Sequence, residues 1–558
     1  MSARKRTIGI IAAIAIAVGI VIAFALSGNG FRDTDSRGTG GAGSSESNDD
    51  WSGPDPVASA MSPAHAVVDH TSAQFAALGV SQAVFESAHV VILTADDSWE
   101  AASYGALLGV PVLVADDATE STSDGGDETP VPPTLSQELL DELDRLETNV
   151  VLLNGIPAGA IDGFETYMLD ETGPSLAKDL GLDLVYAAQP ADLQSGIDGL
   201  GTTVFATEPT STADFDGEFA AAERLDDAVA VTDGAYLAAL GTAAAAGAGV
   251  QISDLDPRAT SDTVAALDGQ QNVVAIFSEE NPDLGWQLAT AATGTQLPGG
   301  GQLVFEGKRY VALYGSPHSA ALGVLGEQGT EGTIVRADAH AELYRDLTDD
   351  QVVPALEIIV TVASGAPGDD GNYSNEWAIE GFLPLVEAAE EAGQYVVLDF
   401  QPGRSDFLTQ VRMYEPLLEY PHVGIALDPE WRLGPTEVPL TRIGHVEIAE
   451  VNEVVTYLAD FTRERDLPQK MLILHQFQVQ MLRDIDQLDQ SRSELAILVH
   501  ADGQGSQGAK QATWATLLNN APHIEYWGWK NFYDEDIPML DPVGTIEVEP
   551  QPHFVSYQ

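Results

Sequence analysis

Residues 395–431 read YVVLDFQPGRSDFLTQVRMYEPLLEYPHVGIALDPEW, and this stretch decides the fold of the C-terminal half. An apolar strand, Tyr395–Phe400, precedes a helical segment, Asp406–Leu418, and a second apolar strand, Val423–Leu427, follows it. This order predicts a βαβ unit, in which two parallel strands are joined by a crossover helix. Each strand also runs into acidic residues at its carboxyl end.

The same rhythm extends over residues 301–558. The predicted strands are Tyr310–Tyr314, Leu356–Val362, Tyr395–Phe400, Val423–Leu427, Met471–His475, Leu495–His500 and Ile524–Trp529, with His553–Tyr557 as a candidate eighth. The predicted helices between them are Ala339–Leu347, Trp377–Ala392, Asp406–Leu418, Ile448–Arg465, Val479–Gln487 and Gly508–Asn519. Seven or eight βα units over about 250 residues predict a TIM-like (β/α) barrel.

Polar side chains end several of these strands. The carboxyl ends of barrel strands carry the chemistry of such folds, and alternate side chains of a strand share a face. We therefore expect catalytic roles for Glu430, Asp399 and Asp428. We expect substrate-binding roles for Gln401, Trp431, His475, Gln476, His500, Asp502, Trp529 and Lys530. The alternative is that apolar strands simply end in ordinary polar loops.

Carboxylates beside aromatic side chains are a composition typical of sugar sites. Glycoside hydrolysis needs two carboxyl groups that flank the scissile bond. We assign the acid/base role to Glu430, with Asp399 or Asp428 as its partner, because gathered carboxylates raise at least one pKa by repulsion. The side chains of His475, Gln401 and Lys530 would hold hydroxyl groups.

Two other functions stay open. A metal-dependent hydrolase could use His475, His500, Asp502 and Asp428 as ligands and keep one position open for water. The barrel could also be a non-catalytic carbohydrate-binding or scaffolding module. We expect no cofactor and leave the metal site unassigned.

The segments LDFQPGRSDFLTQ, ALDPEWRL, LHQF, HADG and WGWKNFYDED resemble a family of uncharacterised exported proteins of actinobacteria. The resemblance runs from Tyr310 to the C-terminus and implies an exported location, but no activity. The barrel with carboxylates at its strand ends also resembles glycoside hydrolases at the level of the fold alone.

The first half, residues 61–300, contains an internal repeat. One copy has strands at Val90–Thr94, Val112–Ala115 and Val150–Leu153 with helices at Trp99–Leu108 and Ser136–Leu146. The second has strands at Ala228–Thr232, Val250–Ser253 and Asn272–Phe277 with helices at Tyr236–Ala246 and Ser261–Leu267. Equivalent strands lie roughly 140 residues apart, and the pattern predicts parallel α/β sheets.

These copies resemble the type-2 cell-wall-binding repeat of Gram-positive surface proteins, over Ala88–Leu169 and, more weakly, Ala228–Thr293. The resemblance implies attachment to wall polymers. The family's Pro-Ile-Leu-Leu turn is Pro111 followed by Val112-Leu113-Val114 here, the second copy lacks the proline, and only two copies are found where the family uses three. The alternative is an α/β region that only packs against the barrel.

Composition and the N-terminus set the location. The chain has 24 Lys and Arg against 86 Asp and Glu, a net charge of −62, which argues against nucleic acid as a partner. It has no cysteine, which excludes disulfides and thiolate chemistry.

Residues 1–26 carry Arg4, Lys5 and Arg6 before the apolar run Ile8–Leu26. This pattern predicts a membrane anchor with the bulk of the chain extracytoplasmic, or a signal peptide cleaved after Ala25 that leaves a secreted protein. Residues 27–60 are rich in Gly, Ser and Asp and predict a disordered tether. The expected partners are the membrane and a cell-wall or extracellular polysaccharide; the sequence implies no oligomeric state.

Overall fold

The computed structural model describes residues 57–58, 65–68, 71–115, 135–215, 219, 224–225 and 227–558. The expected anchor, and nearly all of the expected tether, lie outside the described residues. Within the described part of the chain, no helix combines the length and the apolar character needed to cross a bilayer.

The first region, up to residue 291, is built from the elements β1 His65–Val67, α1 Ala73–Val84, β2 Val90–Thr94, α2 Trp99–Leu108, β3 Val112–Val114, α3 Gln137–Arg145, β4 Val150–Asn154, β5 Glu165–Met168, α4 Leu169–Asp179, α5 Leu193–Gly199, β6 Ala228–Thr232, α6 Leu237–Ala245, β7 Gly249–Ile252, α7 Ser261–Leu267, β8 Asn272–Ile276 and α8 Leu284–Ala291. A short antiparallel pair, Val57–Ala58 with Phe85–Ser87, adds to these. The predicted α/β repeat is confirmed in both order and bounds.

These strands form two four-stranded parallel sheets, with orders β3-β2-β4-β5 and β7-β6-β8-β1. The two sheets have the same architecture, but their fourth strands come from different parts of the chain. β5 follows β4 along the chain and pairs with it, whereas β1 precedes the first copy and pairs with β8 of the second. The strand β1 therefore joins the start of this region to the second sheet.

Helices α2 and α6 join the two copies through a close backbone contact. A Cβ added at Gly241 would lie 2.5 Å from the Cα atom of Ala102, so only glycine fits there. The hydroxyl of Thr242 on α6 accepts a hydrogen bond from the backbone N–H of Val112 at 2.9 Å. Asp97 accepts hydrogen bonds from the N–H groups of Leu237 and Ala238 and so caps α6 from the other copy.

The second region is a barrel built from β9 Lys308–Gly315, α9 Thr330–Glu342, β10 Gln351–Ala363, α10 Leu383–Glu391, β11 Tyr395–Phe400, α11 Phe407–Met413, β12 Val423–Leu427, α12 Ile448–Arg463, β13 Lys470–Gln476, β14 Leu495–Ala501, α13 Gln507–Asn520, β15 Tyr526–Asn531 and β16 Phe554–Tyr557. Shorter pieces are the strand Ser374–Glu376, the strand pair Val446–Glu447 and Leu482–Arg483, and the helices Glu415–Leu418 and Pro542–Ile546. All eight barrel strands are parallel and pair in chain order, and β16 closes the barrel against β9. The predicted TIM-like barrel is confirmed, with residues 554–557 as its eighth strand.

Strand alternation divides the barrel residues into two layers. Inward-facing side chains such as Ala312, Val397 and Ile473 fill the interior. Outward-facing ones such as Leu398 and Leu474 pack against the helices. This division decides which polar side chains at the carboxyl ends of the strands reach the mouth of the barrel, which those ends form.

One predicted barrel helix is wrong. Residues 479–487 form two 3₁₀ turns, Val479–Met481 and Ile485–Gln487, separated by the short strand Leu482–Arg483. Asp484 adopts a left-handed backbone with φ of 57°, which interrupts any continuous helix. Two other helices differ from their predicted bounds. α9 begins before the predicted Ala339, and α10 begins after the predicted Trp377.

The repeat region contacts the barrel at the amino ends of the barrel strands, on the face opposite the mouth. The indole of Trp286 lies between the guanidinium groups of Arg258 and Arg463, at 4.6 and 4.5 Å from its ring centroid. Arg258, which is fully buried, donates to the backbone carbonyl of Ser493, and Asp283 accepts from Arg463 at 2.6 Å. The mouth is therefore left free by this contact.

Candidate functional site

A cavity of about 750 Å³ lies at the carboxyl ends of the barrel strands. Six of the residues expected to act in function line it: Gln401, Asp428, Glu430, Trp431, Asp502 and Lys530. The other side chains with aromatic or polar groups are Tyr314, Phe477, Gln478, Gln504, Thr513, Phe532 and Gln558. The wall is therefore a mixture of carboxyl, amide and aromatic groups.

Below the cavity, a buried polar chain crosses the barrel interior. Both ring nitrogens of His475 face carboxylates, with Nδ1 at 3.0 Å from Oδ2 of Asp502 and Nε2 at 2.8 Å from Oε1 of Glu357. The carboxylate of Asp399 lies 3.9 Å from Nε2 of His475 and accepts a hydrogen bond from the hydroxyl of Tyr314 at 2.9 Å. Four of these five residues lie on barrel strands, and the fifth, Asp502, directly follows β14.

His475 is held as an imidazolium. Burial alone would lower the pKa of its imidazole, but the charge of Glu357 and the hydrogen bonds to Asp502 and Glu357 outweigh burial and raise the pKa well above its ordinary value. An imidazole that carries both protons donates to both carboxylates. His475 is therefore a fixed positive charge beneath the cavity.

Asp502 remains ionised in spite of its burial. Burial raises its pKa, but the hydrogen bond and the charge of His475 outweigh that effect and hold the pKa below its ordinary value. Its second oxygen, Oδ1, has no hydrogen-bond partner among the described residues. This oxygen is buried, so Asp502 keeps unused hydrogen-bonding capacity next to the cavity that it lines.

Glu430 and Asp428 have the opposite character. Burial, followed by the charge of Asp502, raises the pKa of Glu430 to about 7. Burial also raises the pKa of Asp428 well above its ordinary value. Oδ1 of Asp428 accepts a hydrogen bond from the backbone N–H of Glu430 at 3.1 Å, so Asp428 shapes the turn that presents Glu430.

Lys530 contributes the positive charge of the wall. Its side chain is 3% exposed, and Nζ lies 3.2 Å from the centroid of the Tyr314 ring and 5.3 Å from that of Phe532. It forms no ion pair or hydrogen bond through Nζ within the described residues. This ammonium is therefore held by aromatic faces alone.

The remaining expected residues lie outside the cavity. Asp399, which is fully buried, and His475 lie beneath it, and the buried His500 is hydrogen-bonded through Nε2 to Ser556 at 2.8 Å. Trp529 faces the helix layer and packs edge-on against Trp514, because its position in β15 has the outward parity. Gln476, the last residue of β13, has the outward parity and is buried. Its side chain donates to the backbone carbonyl of Val479.

The four side chains that we considered as metal ligands do not surround one point. Both nitrogens of His475 are occupied by carboxylates, and Nε2 of His500 faces Ser556. Over the described ranges, no group of three or more His, Asp or Glu side chains is arranged to hold a metal ion.

Sequence reasoning missed two central residues, Glu357 and Tyr314. Glu357 interrupts the otherwise apolar run Val352–Val362, and a charged residue in the middle of a barrel strand was the available signal. Tyr314 carried no comparable signal, because tyrosine is common in strands.

Comparisons with known proteins find similar chains among solved structures alone. No protein-family model matches the chain, and no curated protein matches it. Among solved structures, Cwp6 from Clostridium difficile is similar at 12% identity and a TM-score of 0.30, over 60% of this chain and 62% of that chain. The HpcH/HpaI aldolase from Desulfitobacterium hafniense DCB-2 is similar at 11% identity and a TM-score of 0.24, over 45% of this chain and 86% of that chain. The chain thus spans less than two thirds of the length of Cwp6.

Proposed function

We propose that the barrel hydrolyses a glycan at its carboxyl mouth, with Glu430 as the general acid and Asp502 as the ionised carboxylate. The observation that carries this proposal is that both carboxyl groups line one cavity while their surroundings drive their protonation in opposite directions. Paired carboxyls of this kind are what glycoside hydrolysis requires.

The partner of Glu430 in this proposal differs from the one expected from sequence. Asp399 is fully buried and bonded to Tyr314, so it does not reach a substrate. Asp428 is held neutral by burial and supports the backbone at Glu430. Asp502, which we expected to bind substrate, lines the cavity with an ionised carboxylate, and its Oδ1 atom has no hydrogen-bond partner among the described residues.

In the proposed reaction, Glu430 donates its proton to the glycosidic oxygen as the bond to the leaving sugar breaks. Water then adds to the anomeric carbon, and one of its protons returns to the carboxylate of Glu430. The carboxylate of Asp502 faces the positive charge that develops on the sugar ring. His475 acts as a positioning residue, because its charge keeps Asp502 ionised and its ring fixes the orientation of that carboxylate.

The remaining wall supports a sugar ligand. The faces of Trp431, Phe477 and Phe532 offer stacking surfaces for the C–H faces of a sugar, and the amides of Gln401, Gln478, Gln504 and Gln558 can bind hydroxyl groups. The predicted export segment and the acidic composition support a proposed substrate outside the cytoplasm, a cell-wall or extracellular polysaccharide.

The test measures release of reducing ends from purified envelope and extracellular polysaccharides. We expect release by the parent protein and a loss of at least 100-fold in Glu430→Gln and in Asp502→Asn. Glu419→Gln, at an exposed position away from the cavity, serves as the matched control and should match the parent. Binding of a polysaccharide without release by the parent would instead favour the non-catalytic carbohydrate-binding module.

A further inference from the structure

The ammonium of Lys530 lacks a dedicated counter-ion. The buried carboxylates nearby already have partners, since Glu357 and Asp502 bind His475, and Asp399 accepts from Tyr314. Lys530 is 97% buried and lies within the wall of the cavity, against the ring of Tyr314. A buried ammonium without an anionic partner is costly, unless a ligand supplies one.

Its neighbours offset part of this cost, because the carboxylates of Asp399, Glu430 and Asp502 attract its charge. None of these carboxylates, however, comes within 4.0 Å of Nζ in the described part of the chain. The amides of the cavity wall offer hydrogen bonds without a negative charge. Lys530 thus brings to the cavity an ammonium that forms no direct ion pair among the described residues.

We propose that Lys530 binds a carboxylate of the substrate, so that the glycan cleaved at this mouth contains uronic acid units. This inference rests on the proposed glycan hydrolysis and names its substrate class. A sugar carboxylate carries one negative charge, which one ammonium neutralises. A phosphate monoester carries up to two charges and would leave net repulsion with the ionised Asp502, whereas a phosphodiester carries one charge and is therefore the alternative that the experiment must separate.

The chain has a net charge of −62, so the short range of the contact between Lys530 and a uronate matters. The whole chain repels anionic polymers at long range, but salt screens exposed charges much more than buried ones. Binding of a uronate through Lys530 should therefore persist in about 0.5 M salt, at a Debye length of roughly 4 Å.

The experiment measures equilibrium binding by calorimetry at that salt concentration, using full-length Glu430→Gln protein to prevent turnover. The probes are glucuronate-containing oligosaccharides, their carboxyl-reduced counterparts, and oligosaccharides joined by phosphodiester bonds. We expect the uronate form to bind at least tenfold more tightly than the reduced form. Adding Lys530→Met should abolish this preference, and Lys530→Arg should retain part of it.

The control substitution, Lys178→Met at an exposed position on α4, should leave the preference intact. Equal binding of the uronate and reduced forms, or a preference that survives Lys530→Met, would overturn the inference while leaving glycan hydrolysis in place. Lys530-dependent preference for the phosphodiester form would overturn the carboxylate assignment. Failure to bind any of the three probes would overturn both the inference and the proposed function for these glycans.

Discussion

The Nδ1 atom of His475 lies 3.0 Å from Oδ2 of Asp502, and this contact links the buried interior of the barrel to its mouth. Because the opposite nitrogen, Nε2, faces Glu357 at 2.8 Å, the ring is fixed between two carboxylates. The charge of His475 in turn keeps Asp502 ionised. The electrostatic state of the cavity therefore depends on a residue that does not line it.

Substitution of His475 should destabilise the fold strongly. His475→Gln leaves Glu357 and Asp502 as buried carboxylates without a cation between them, and breaking such a pair costs about 3–5 kcal/mol. Chemical unfolding at pH 7 measures this loss. The loss should shrink near pH 4, where Asp502, without a cation beside it, can take up a proton. The control His445→Gln, whose ring forms no hydrogen bond among the described residues, should cost little. A loss under about 1 kcal/mol at pH 7 would argue against a charged His475.

Glu430 should make stability depend on pH. Its pKa is raised to about 7 in the folded protein, whereas an unfolded glutamate has a pKa of about 4.3. Between these values the folded state binds more protons than the unfolded state, so the free energy of unfolding falls as pH rises. Relative to the parent, Glu430→Gln should gain on the order of 3 kcal/mol between pH 4 and pH 8. Unfolding curves at several pH values measure this, and a constant difference would contradict the raised pKa.

The rate of glycan cleavage should fall as pH rises through about 7, because Glu430 must hold its proton to act as the acid. Asp428→Asn should keep this limb of the pH profile in place, because burial raises the pKa of Asp428 and so favours its neutral form, and an asparagine oxygen can still accept from the N–H of Glu430. Profiles of kcat/KM against pH for the two proteins test this. A limb that disappears with Asp428→Asn would assign it to Asp428.

The contact between α2 and α6 should tolerate no side chain at Gly241. Gly241→Ala places a Cβ 2.5 Å from Cα of Ala102, and overpacking of this kind costs about 1–3 kcal/mol. Gly285→Ala in α8 is the matched control, since an added Cβ there has no neighbour within 4 Å among the described residues. Alanine at that position should be neutral or stabilising by up to about 1 kcal/mol. Thermal unfolding measures both, and equal melting temperatures would refute the close contact.

The sequence was informative wherever periodicity was strong. Long apolar strands such as Tyr395–Phe400 and Val423–Leu427 were found with their observed bounds, since burial on both faces leaves a continuous apolar run. The helix predicted at Val479–Gln487 was wrong, because its apolar residues also suit 3₁₀ turns packed on the barrel. The pairing of β1 with β8 was not predictable, because pairing between distant strands leaves no local pattern.

The site was predictable to the extent that strand alternation decides it. Asp428, Glu430 and Asp502 follow strands with the inward parity and reach the cavity. Trp529 has the outward parity, whereas its neighbour Lys530 faces the cavity. Since adjacent residues of a strand point to opposite faces, only one of the two could line the cavity. The opposing protonation of Glu430 and Asp502 depends on His475 and Glu357, which come together only in the closed barrel.

The division of roles between Glu430 and Asp502 is tested most directly by the dependence of the cleavage rate on the leaving group. The measurement compares kcat/KM of each variant on a polysaccharide with that on an aryl glycoside of the same sugar, whose leaving group needs no proton. Glu430→Gln should lose at least 100-fold on the polysaccharide but less than tenfold on the aryl glycoside, whereas Asp502→Asn, confirmed as folded by circular dichroism, should lose activity on both. Equal losses of Glu430→Gln on the two substrates, or an Asp502→Asn variant as active as the parent, would contradict the account.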